Sequence, residues 1–229
     1  MQKANGTKHR KIKVIIFDMD NTLLDFVNAK LLSLKAVVEF LDRDDDSELL
    51  QYFLNDEIDV ENLDCIARYL KDRNIYSDET FKRCCKIYSE VKLKSINIYP
   101  GVIETLQTLI ARGLILAVVT DAFMNNAKAR LIKTGLLDYF DLVVSADLVN
   151  SKKPAPDSII YTINKLGVTT SEAIFVGDSL RRDIALGNDL GLTTVYAKYG
   201  ETDFHEDVDI VADFSVNDLK ELIKIIDKL

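Results

Sequence analysis

Four aspartates and one lysine follow short apolar runs of this sequence, where carboxylates and an ammonium group can act on a ligand. Asp18 and Asp20 follow the first run, Lys153 follows the third, and Asp178 and Asp183 follow the fourth. Carboxylates that lie close together repel one another and raise each other's pKa unless a cation lies among them. Such oxygen ligands suit a hard ion, above all Mg²⁺, which binds one or two carboxylates together with a substrate phosphate. The pattern therefore predicts a magnesium and phosphate site.

A hydroxyl and a further carboxylate follow the second apolar run, at Thr120 and Asp121. Each residue also has an ordinary structural interpretation. Aspartate is common in turns and at helix N-termini, Thr120 can simply end a strand, and Lys153 can be a solvated surface lysine. We interpret them jointly, because four successive strand ends that each carry a different part of one metal and phosphate site are improbable by chance.

The elements that must position these residues are predicted from the alternation of strands and helices. From residue 102 onward, helices of about ten residues, most of them ended by a glycine, alternate with short β-branched strands. The predicted strands are 13–17, 114–119, 142–145, 173–176 and 193–197, and the predicted helices are 102–112, 125–133, 157–166, 182–190 and 216–228. Such alternation implies right-handed crossovers and a parallel sheet, and ligands bind at the carboxyl ends of the strands in such a sheet.

The segment between the first strand and this alternation has a different character. Residues 26–95 contain no Gly or Pro, and apolar residues recur at helical spacing, for example at Leu31, Leu34 and Val38. The spacing predicts three or four helices with no strand among them. We therefore expect an α/β unit made of residues 1–24 and 96–229, with a helical module of residues 25–95 inserted after the first strand.

Composition limits the classes of function. The chain has 229 residues and a net charge of −8 at pH 7, which disfavours binding to nucleic-acid phosphates.

Three cysteines, at positions 65, 84 and 85, are an odd number in a chain too long to need disulfides, and we interpret them as packing residues in a reducing compartment. No apolar run reaches the ~18 residues of a membrane span. We expect a cytoplasmic protein, either a monomer or a homodimer.

The polar residues stand in motifs that resemble those of the haloacid dehalogenase (HAD) superfamily. The segments are Asp18-Met19-Asp20-Asn21-Thr22, Ala117-Val118-Val119-Thr120-Asp121, Lys153-Pro154-Ala155-Pro156 and Gly177-Asp178-Ser179-Leu180-Arg181-Arg182-Asp183. They are similar to the family's DxDxT motif, its apolar strand ending in Thr or Ser, its K-P-x-P lysine motif and its GDxxxxD motif. The resemblance implies an α/β fold with a Rossmann-like parallel-sheet core and a helical cap of the C1 type.

The resemblance also implies roles for the aspartates in a phosphatase. Asp18 would be the nucleophile that forms an aspartyl-phosphate, and Asp20 would be the general acid and then the general base. The carboxylates of Asp18 and Asp178 and the backbone carbonyl of Asp20 would hold Mg²⁺, and Asp183 would support these ligands directly or through water.

The remaining motif residues would bind the phosphoryl group of a small phosphorylated substrate. The Thr120 hydroxyl and the Asp121 N–H would contact phosphoryl oxygens, and Lys153 would neutralise the nucleophile and the transferring group. Thr120 and Lys153 are thus expected to be catalytic as well as phosphate-binding. Asp121 stands where the family often has Asn or Ser.

Three other functions fit parts of the pattern. A phosphomutase would use the same motifs, and the sequence leaves this alternative open. A haloacid dehalogenase needs neither a metal nor Asp20, and a phospho-receiver switch lacks the inserted helical segment. In that segment Asp25, Phe26 and Asn28 are candidates for substrate contacts, but they are equally well explained as hinge and packing residues.

Overall fold

The computed structural model describes residues 11–43, 46–54, 63–201 and 209–229. The chain divides into two compact units, Met1–Leu24 with Ile98–Leu229 and Asp25–Asn97. We call the first unit the core and the second the helical insert. Within the described ranges, the helices are too short or too polar to cross a membrane.

The described part of the helical insert contains four helices and no strand, as its apolar spacing predicts. They are α1 (Phe26–Phe40), α2 (Asp46–Leu54), α3 (Asp64–Asp72) and α4 (Asp78–Ser95). Asp25 is the N-cap of α1, and its carboxylate accepts the Asn28 N–H at 3.2 Å. Apolar side chains of the four helices pack together, and the rings of Phe53 and Tyr88 stack with centroids 5.3 Å apart.

The three cysteines lie in this insert and are free thiols. Cys65 and Cys84 are buried, whereas Cys85 is half-buried. Burial raises the pKa of the Cys84 and Cys85 thiols to about 11, so neither forms a reactive thiolate near neutral pH. The burial of Cys65 and Cys84 agrees with their expected role as packing residues. Cys85 is buried only in part.

The described part of the core is built on a parallel sheet of six strands. They are β1 (Val14–Phe17), β2 (Ile115–Thr120), β3 (Leu142–Ser145), β4 (Ala173–Gly177), β5 (Thr193–Ala197) and β6 (Phe214–Val216), in the spatial order β3-β2-β1-β4-β5-β6. β1 is fully buried and pairs with β2 on one side and β4 on the other, with Phe17 level with both Val118 and Val176. Continuous apolar strands of this kind need helices over both faces of the sheet. The pairing brings the carboxyl ends of β1, β2 and β4 side by side.

Six helices accompany the sheet in the described core. They are α5 (Val102–Ala111), α6 (Met124–Lys133), α7 (Ala146–Val149), α8 (Asp157–Leu166), α9 (Ala185–Asp189) and α10 (Glu221–Ile226). The predicted α/β class with a parallel sheet is therefore confirmed, and most predicted elements agree with the structure to within one or two residues.

The predicted closing helix 216–228 is wrong at its beginning. Phe214–Val216 forms β6, which pairs with β5 and places Val216 level with Ala197, and the helix begins only at Glu221. The side chain of Asp213 ties this strand down, because its carboxylate accepts the Thr194 N–H at 2.9 Å. A strand of three residues is too short to show a period-2 pattern, so the sequence carried no signal for it.

The predicted helix 182–190 also differs from the structure. The chain forms a wide π-helical turn over Leu180–Ile184 before α9. Two contacts of Ser179 shape the turn: its hydroxyl accepts the Arg182 N–H at 3.3 Å, and its own N–H donates to Asp183 Oδ2 at 3.1 Å. Such wide turns are frequent at functional sites, and this one carries Asp183.

Candidate active site

Three buried carboxylates meet at the carboxyl edge of the sheet. Asp18 follows β1, Asp178 follows β4, and Asp183 lies in the π-helical turn after β4. One carboxylate oxygen from each residue lies within 4.8 Å of the other two. The structure therefore brings together the three carboxylates that the sequence analysis assigned to a metal site, where the fourth residue, Asp20, was assigned through its backbone carbonyl.

Lys153 lies among these carboxylates. Its Nζ is 2.5 Å from Asp18 Oδ1 and 2.6 Å from Asp183 Oδ1, and its side chain is almost completely buried. Burial alone disfavours the ammonium, but the charges of Asp18 and Asp183 outweigh it and raise the pKa of Lys153 above its ordinary value. Lys153 is thus a fixed cation beside the predicted nucleophile.

One lysine does not neutralise this cluster, since three ionised carboxylates and one ammonium leave two negative charges, and the guanidinium of Arg182, which also acts on these carboxylates, still leaves one. Burial, followed by the charge of Asp183, raises the pKa of Asp18 to about 6 even though Lys153 opposes the shift. Burial and the charge of Asp18 raise the pKa of Asp178 well above its ordinary value. A divalent cation would supply the missing positive charge and keep these carboxylates ionised.

The donor set also fits a hard cation. The Thr22 hydroxyl donates to Asp178 Oδ1 at 3.1 Å, whereas Asp178 Oδ2 is buried without a hydrogen-bond partner in the part of the chain that the structure describes. A buried carboxylate oxygen without a partner is costly unless an ion binds it. Asp18, Asp178 and Asp183 therefore suit Mg²⁺, which prefers oxygen ligands.

Two glycines allow the loops of this site to approach closely. A Cβ at Gly177 would lie 2.5 Å from Asp183 Oδ2, and a Cβ at Gly200 would lie 1.6 Å from the Asn21 carbonyl oxygen. Neither contact is possible for a larger residue without movement of the chain. Asn21 itself has φ +63°, a left-handed conformation that asparagine tolerates better than most residues. The loop after β1 is therefore held in place by tight packing.

Asp20 lies two residues after Asp18 and is one-fifth exposed at its side chain. Its Oδ2 forms an ion pair with Nη1 of Arg130, a buried residue of α6. Sequence reasoning missed Arg130. The available signal was its position, because Arg130 lies on the same helical stripe as the buried residues Ala127 and Leu131, where a charged residue is unusual.

Thr120 and Asp121 lie at the end of β2, next to β1 in the sheet. The Thr120 hydroxyl is buried and accepts the Ala122 N–H at 3.1 Å, which orients it within the loop. Asp121 Oδ1 accepts the backbone N–H of Lys153 at 2.9 Å. The Asp121 side chain thus positions the loop that carries Lys153. This role is in addition to the phosphate contact that is predicted for the backbone N–H of Asp121.

The candidates in the helical insert have mainly structural contacts. Asp25 caps α1, and Phe26 is buried with the Lys92 ammonium 5.5 Å from its ring centroid. Asn28 is exposed. These placements favour the packing interpretation for Asp25 and Phe26.

Comparisons with known proteins agree with this geometry. The sequence model of the family described as haloacid dehalogenase-like hydrolase matches residues 15–197. The chain is 28% identical to a glyceraldehyde 3-phosphate phosphatase of Methanocaldococcus jannaschii, over 95% of this chain and 98% of that one. It is 29% identical to a phosphoglycolate phosphatase of Aquifex aeolicus, over 94% and 97% of the two chains. A solved HAD phosphatase from Thermococcus onnurineus has a TM-score of 0.66 and 28% identity, and the match covers 93% of this chain and 97% of that one.

Proposed function

This chain belongs to the haloacid dehalogenase-like hydrolase family, and from that premise we propose that it is a Mg²⁺-dependent phosphatase of small phosphorylated metabolites that acts through an aspartyl-phosphate on Asp18. The observation that carries the proposal is the buried cluster of Asp18, Asp178 and Asp183, which Lys153 neutralises only in part. Metal-free haloacid dehalogenation would not need this excess of carboxylates. The names of the relatives support the phosphatase assignment.

The first half of the reaction transfers the phosphoryl group to the enzyme. A carboxylate oxygen of Asp18 bonds to phosphorus while the bond between phosphorus and the ester oxygen breaks. Lys153 stabilises the ionised nucleophile and the charge on the phosphoryl oxygens, and the Thr120 hydroxyl and Asp121 N–H bind those oxygens. Mg²⁺ held by Asp18, Asp178 and Asp183 would supply further positive charge at the phosphoryl group.

Asp20 handles the proton in both halves of the reaction. It donates a proton to the leaving ester oxygen, and then accepts a proton from the water that attacks the aspartyl-phosphate. Inorganic phosphate leaves, and Asp18 is restored. We assign Arg130 as a positioning residue, since its ion pair with Asp20 Oδ2 fixes the carboxylate in the loop after β1.

The substrate class is a small phosphate monoester. Glyceraldehyde 3-phosphate and phosphoglycolate, after which the relatives are named, are the first candidates. We propose that the helical insert acts as a cap that selects the leaving group and contributes no essential chemistry, because the residues of the four motifs all lie in the core. The three free cysteines support a reducing, cytoplasmic location.

The test is a release assay for inorganic phosphate with p-nitrophenyl phosphate and a panel of small phosphate esters. We expect turnover with Mg²⁺, none in excess EDTA, and inhibition by Ca²⁺. Asp18→Asn should abolish turnover and keep the fold by circular dichroism, because a neutral amide is a poor nucleophile and a poor metal ligand. Asp138→Asn, at an exposed aspartate of the core, is the matched control and should retain full activity. Full turnover in EDTA would contradict the proposal and favour a dehalogenase.

A further inference from the structure

An ion pair joins the loops after β2 and β4. Nη1 of Arg182, in the π-helical turn after β4, lies 3.6 Å from Oδ2 of Asp121, which follows β2. Strand β1 lies between β2 and β4 in the sheet, and Asp18 follows β1 directly. Both members of the pair belong to the core. The pair therefore links two loops of the candidate active site.

The carboxylate of Asp121 places a negative charge beside the groups assigned to the phosphoryl group. The N–H of the same residue is one of these groups, and Lys153 is another. Oδ1 of Asp121 accepts the backbone N–H of Lys153 at 2.9 Å, which holds the carboxylate next to that loop. The side chain of Asp121 is 22% exposed, so water screens its charge only in part. Because phosphate esters carry nearly two negative charges at pH 7, an uncompensated carboxylate here would repel the substrate.

The guanidinium of Arg182 supplies the opposite charge at the same place. Its Nε also donates to the Ser179 hydroxyl oxygen, at 3.4 Å. Burial is the largest influence on the pKa of Lys153 and lowers it, and two neighbouring carboxylates raise it. Beyond these influences, Asp121 raises the pKa of Lys153 and Arg182 lowers it. The charges of Asp121 and Arg182 therefore act on Lys153 with opposite signs.

Arg182 enters the charge balance of the site as the partner of Asp121. Asp121 and the three clustered carboxylates make four negative charges, and Lys153 and Arg182 supply two positive ones. A divalent cation at the cluster would balance the remaining two. Loss of the guanidinium alone leaves one negative charge in excess, whereas loss of both charges of the pair leaves the balance unchanged. The effect of Arg182 on an anionic ligand should therefore depend on Asp121.

We propose that Arg182 permits phosphate binding indirectly, by offsetting the charge of Asp121 at the end of β2, and does not itself bind the phosphoryl group. Arg182 is thus a positioning residue, which acts through the carboxylate whose Oδ2 faces it. This inference rests on the phosphatase function proposed above and adds a residue that sets the affinity of the site for phosphate.

The test is a double-mutant cycle of Arg182→Met and Asp121→Asn, followed by calorimetric binding of inorganic phosphate in the presence of Mg²⁺. Asparagine at position 121 removes the charge and keeps an oxygen that can accept the Lys153 N–H. We expect Arg182→Met to weaken phosphate binding about 10-fold, the effect of one partly screened charge on a nearby dianion. In the Asp121→Asn background the same replacement should change binding by less than ~2-fold, because no carboxylate is left to offset.

Two further variants separate the charge of Arg182 from its contacts. Arg182→Lys keeps a positive charge and loses the contact between Nε and Ser179, so it should retain most of the affinity for phosphate. Arg181→Met removes the same charge from an exposed arginine of the same turn, and it should leave phosphate binding unchanged. Binding of Mg²⁺ alone should not weaken in Arg182→Met, because removal of a nearby cation favours another cation. If Arg182→Met fails to fold, Arg182→Gln serves in the same cycle.

Three results would overturn the role of Arg182. Equal losses in both backgrounds would mean that the guanidinium binds phosphate directly. A loss in Arg182→Lys as large as in Arg182→Met, or a weakened affinity of Arg182→Met for Mg²⁺, would assign it a structural role in the turn. Turnover of p-nitrophenyl phosphate by the wild type tests the phosphatase function separately. A wild type that neither turns over this ester nor binds phosphate would contradict the proposed function itself.

Discussion

Replacement of Lys30 by methionine should stabilise the protein at neutral pH, by an amount that depends on pH. The variant keeps most of the side-chain volume and removes a charge that burial and Lys92 disfavour. The pKa of Lys30 is lowered from 10.5 to about 8. This difference corresponds to ~3 kcal/mol of unfavourable free energy, which the charged form carries in the folded state.

The sign of the pH dependence follows from proton binding. Below pH 8, Lys30 is charged in the folded and the unfolded chain, so the full cost is present. Between about pH 8 and 10.5 the unfolded chain binds a proton that the folded chain has released, and the stability of the wild type therefore rises with pH. The advantage of Lys30→Met should be largest at pH 7 and should fade toward pH 10.5.

The assay is urea unfolding of wild type, Lys30→Met and the exposed control Lys35→Met, followed by circular dichroism at pH 7 and pH 10. The comparison with wild type cancels titrations elsewhere in the chain. Among the described residues, the groups that act on Lys30 are Lys92 from α4 and the thiol of Cys65 from α3, while α2 contributes the ring of Phe53. A loss of stability at pH 7 would show that the ammonium of Lys30 is stabilised where it lies. A gain of the same size at both pH values would show that the gain comes from packing and not from removal of the charge.

Three further predictions concern the core and its insert. Gly177→Ala should lower the phosphatase rate at least ~100-fold and cost about 1–3 kcal/mol of stability by urea unfolding, because the new Cβ overlaps the Asp183 carboxylate. Arg130→Met should slow hydrolysis of alkyl phosphates more than that of p-nitrophenyl phosphate, since Asp20 matters most for poor leaving groups; an equal effect on both would argue against a positioning role. Replacement of Asp25–Asn97 by a short linker should leave Mg²⁺-dependent cleavage of acetyl phosphate but flatten selectivity, and a folded, inactive variant would place a catalytic group in the insert.

The sequence by itself determined the fold class and the edge of the sheet where the site lies. Asp18, Thr120 and Asp178 could be identified because each directly follows a short apolar run, and parallel strands must present their carboxyl ends at one edge. This argument depends only on local pattern and on the right-handed connection of strands, so it needs no knowledge of side-chain contacts.

Only the tertiary structure decided the individual contacts at that edge. The motif resemblance implied that Lys153 neutralises Asp18, 135 positions away along the chain, but it did not predict the second contact of Lys153, with Asp183 30 positions away. The partner of Asp20 is 110 residues away, at Arg130. Helical periodicity indicates that Arg130 faces inward, but it does not report which group it faces.

The same limit applies to the helical insert and to the last strand. The spacing of apolar residues on α1 predicts a buried stripe, and Lys30 falls within that stripe, but the charges that act on it there depend on what the neighbouring helices place around it. Strand β6 exists because Phe214–Val216 pairs with β5 through backbone hydrogen bonds, which any short extended segment can form. Periodicity in a sequence reports which residues are buried, whereas charge pairing and edge-strand pairing are decided by the packed neighbours.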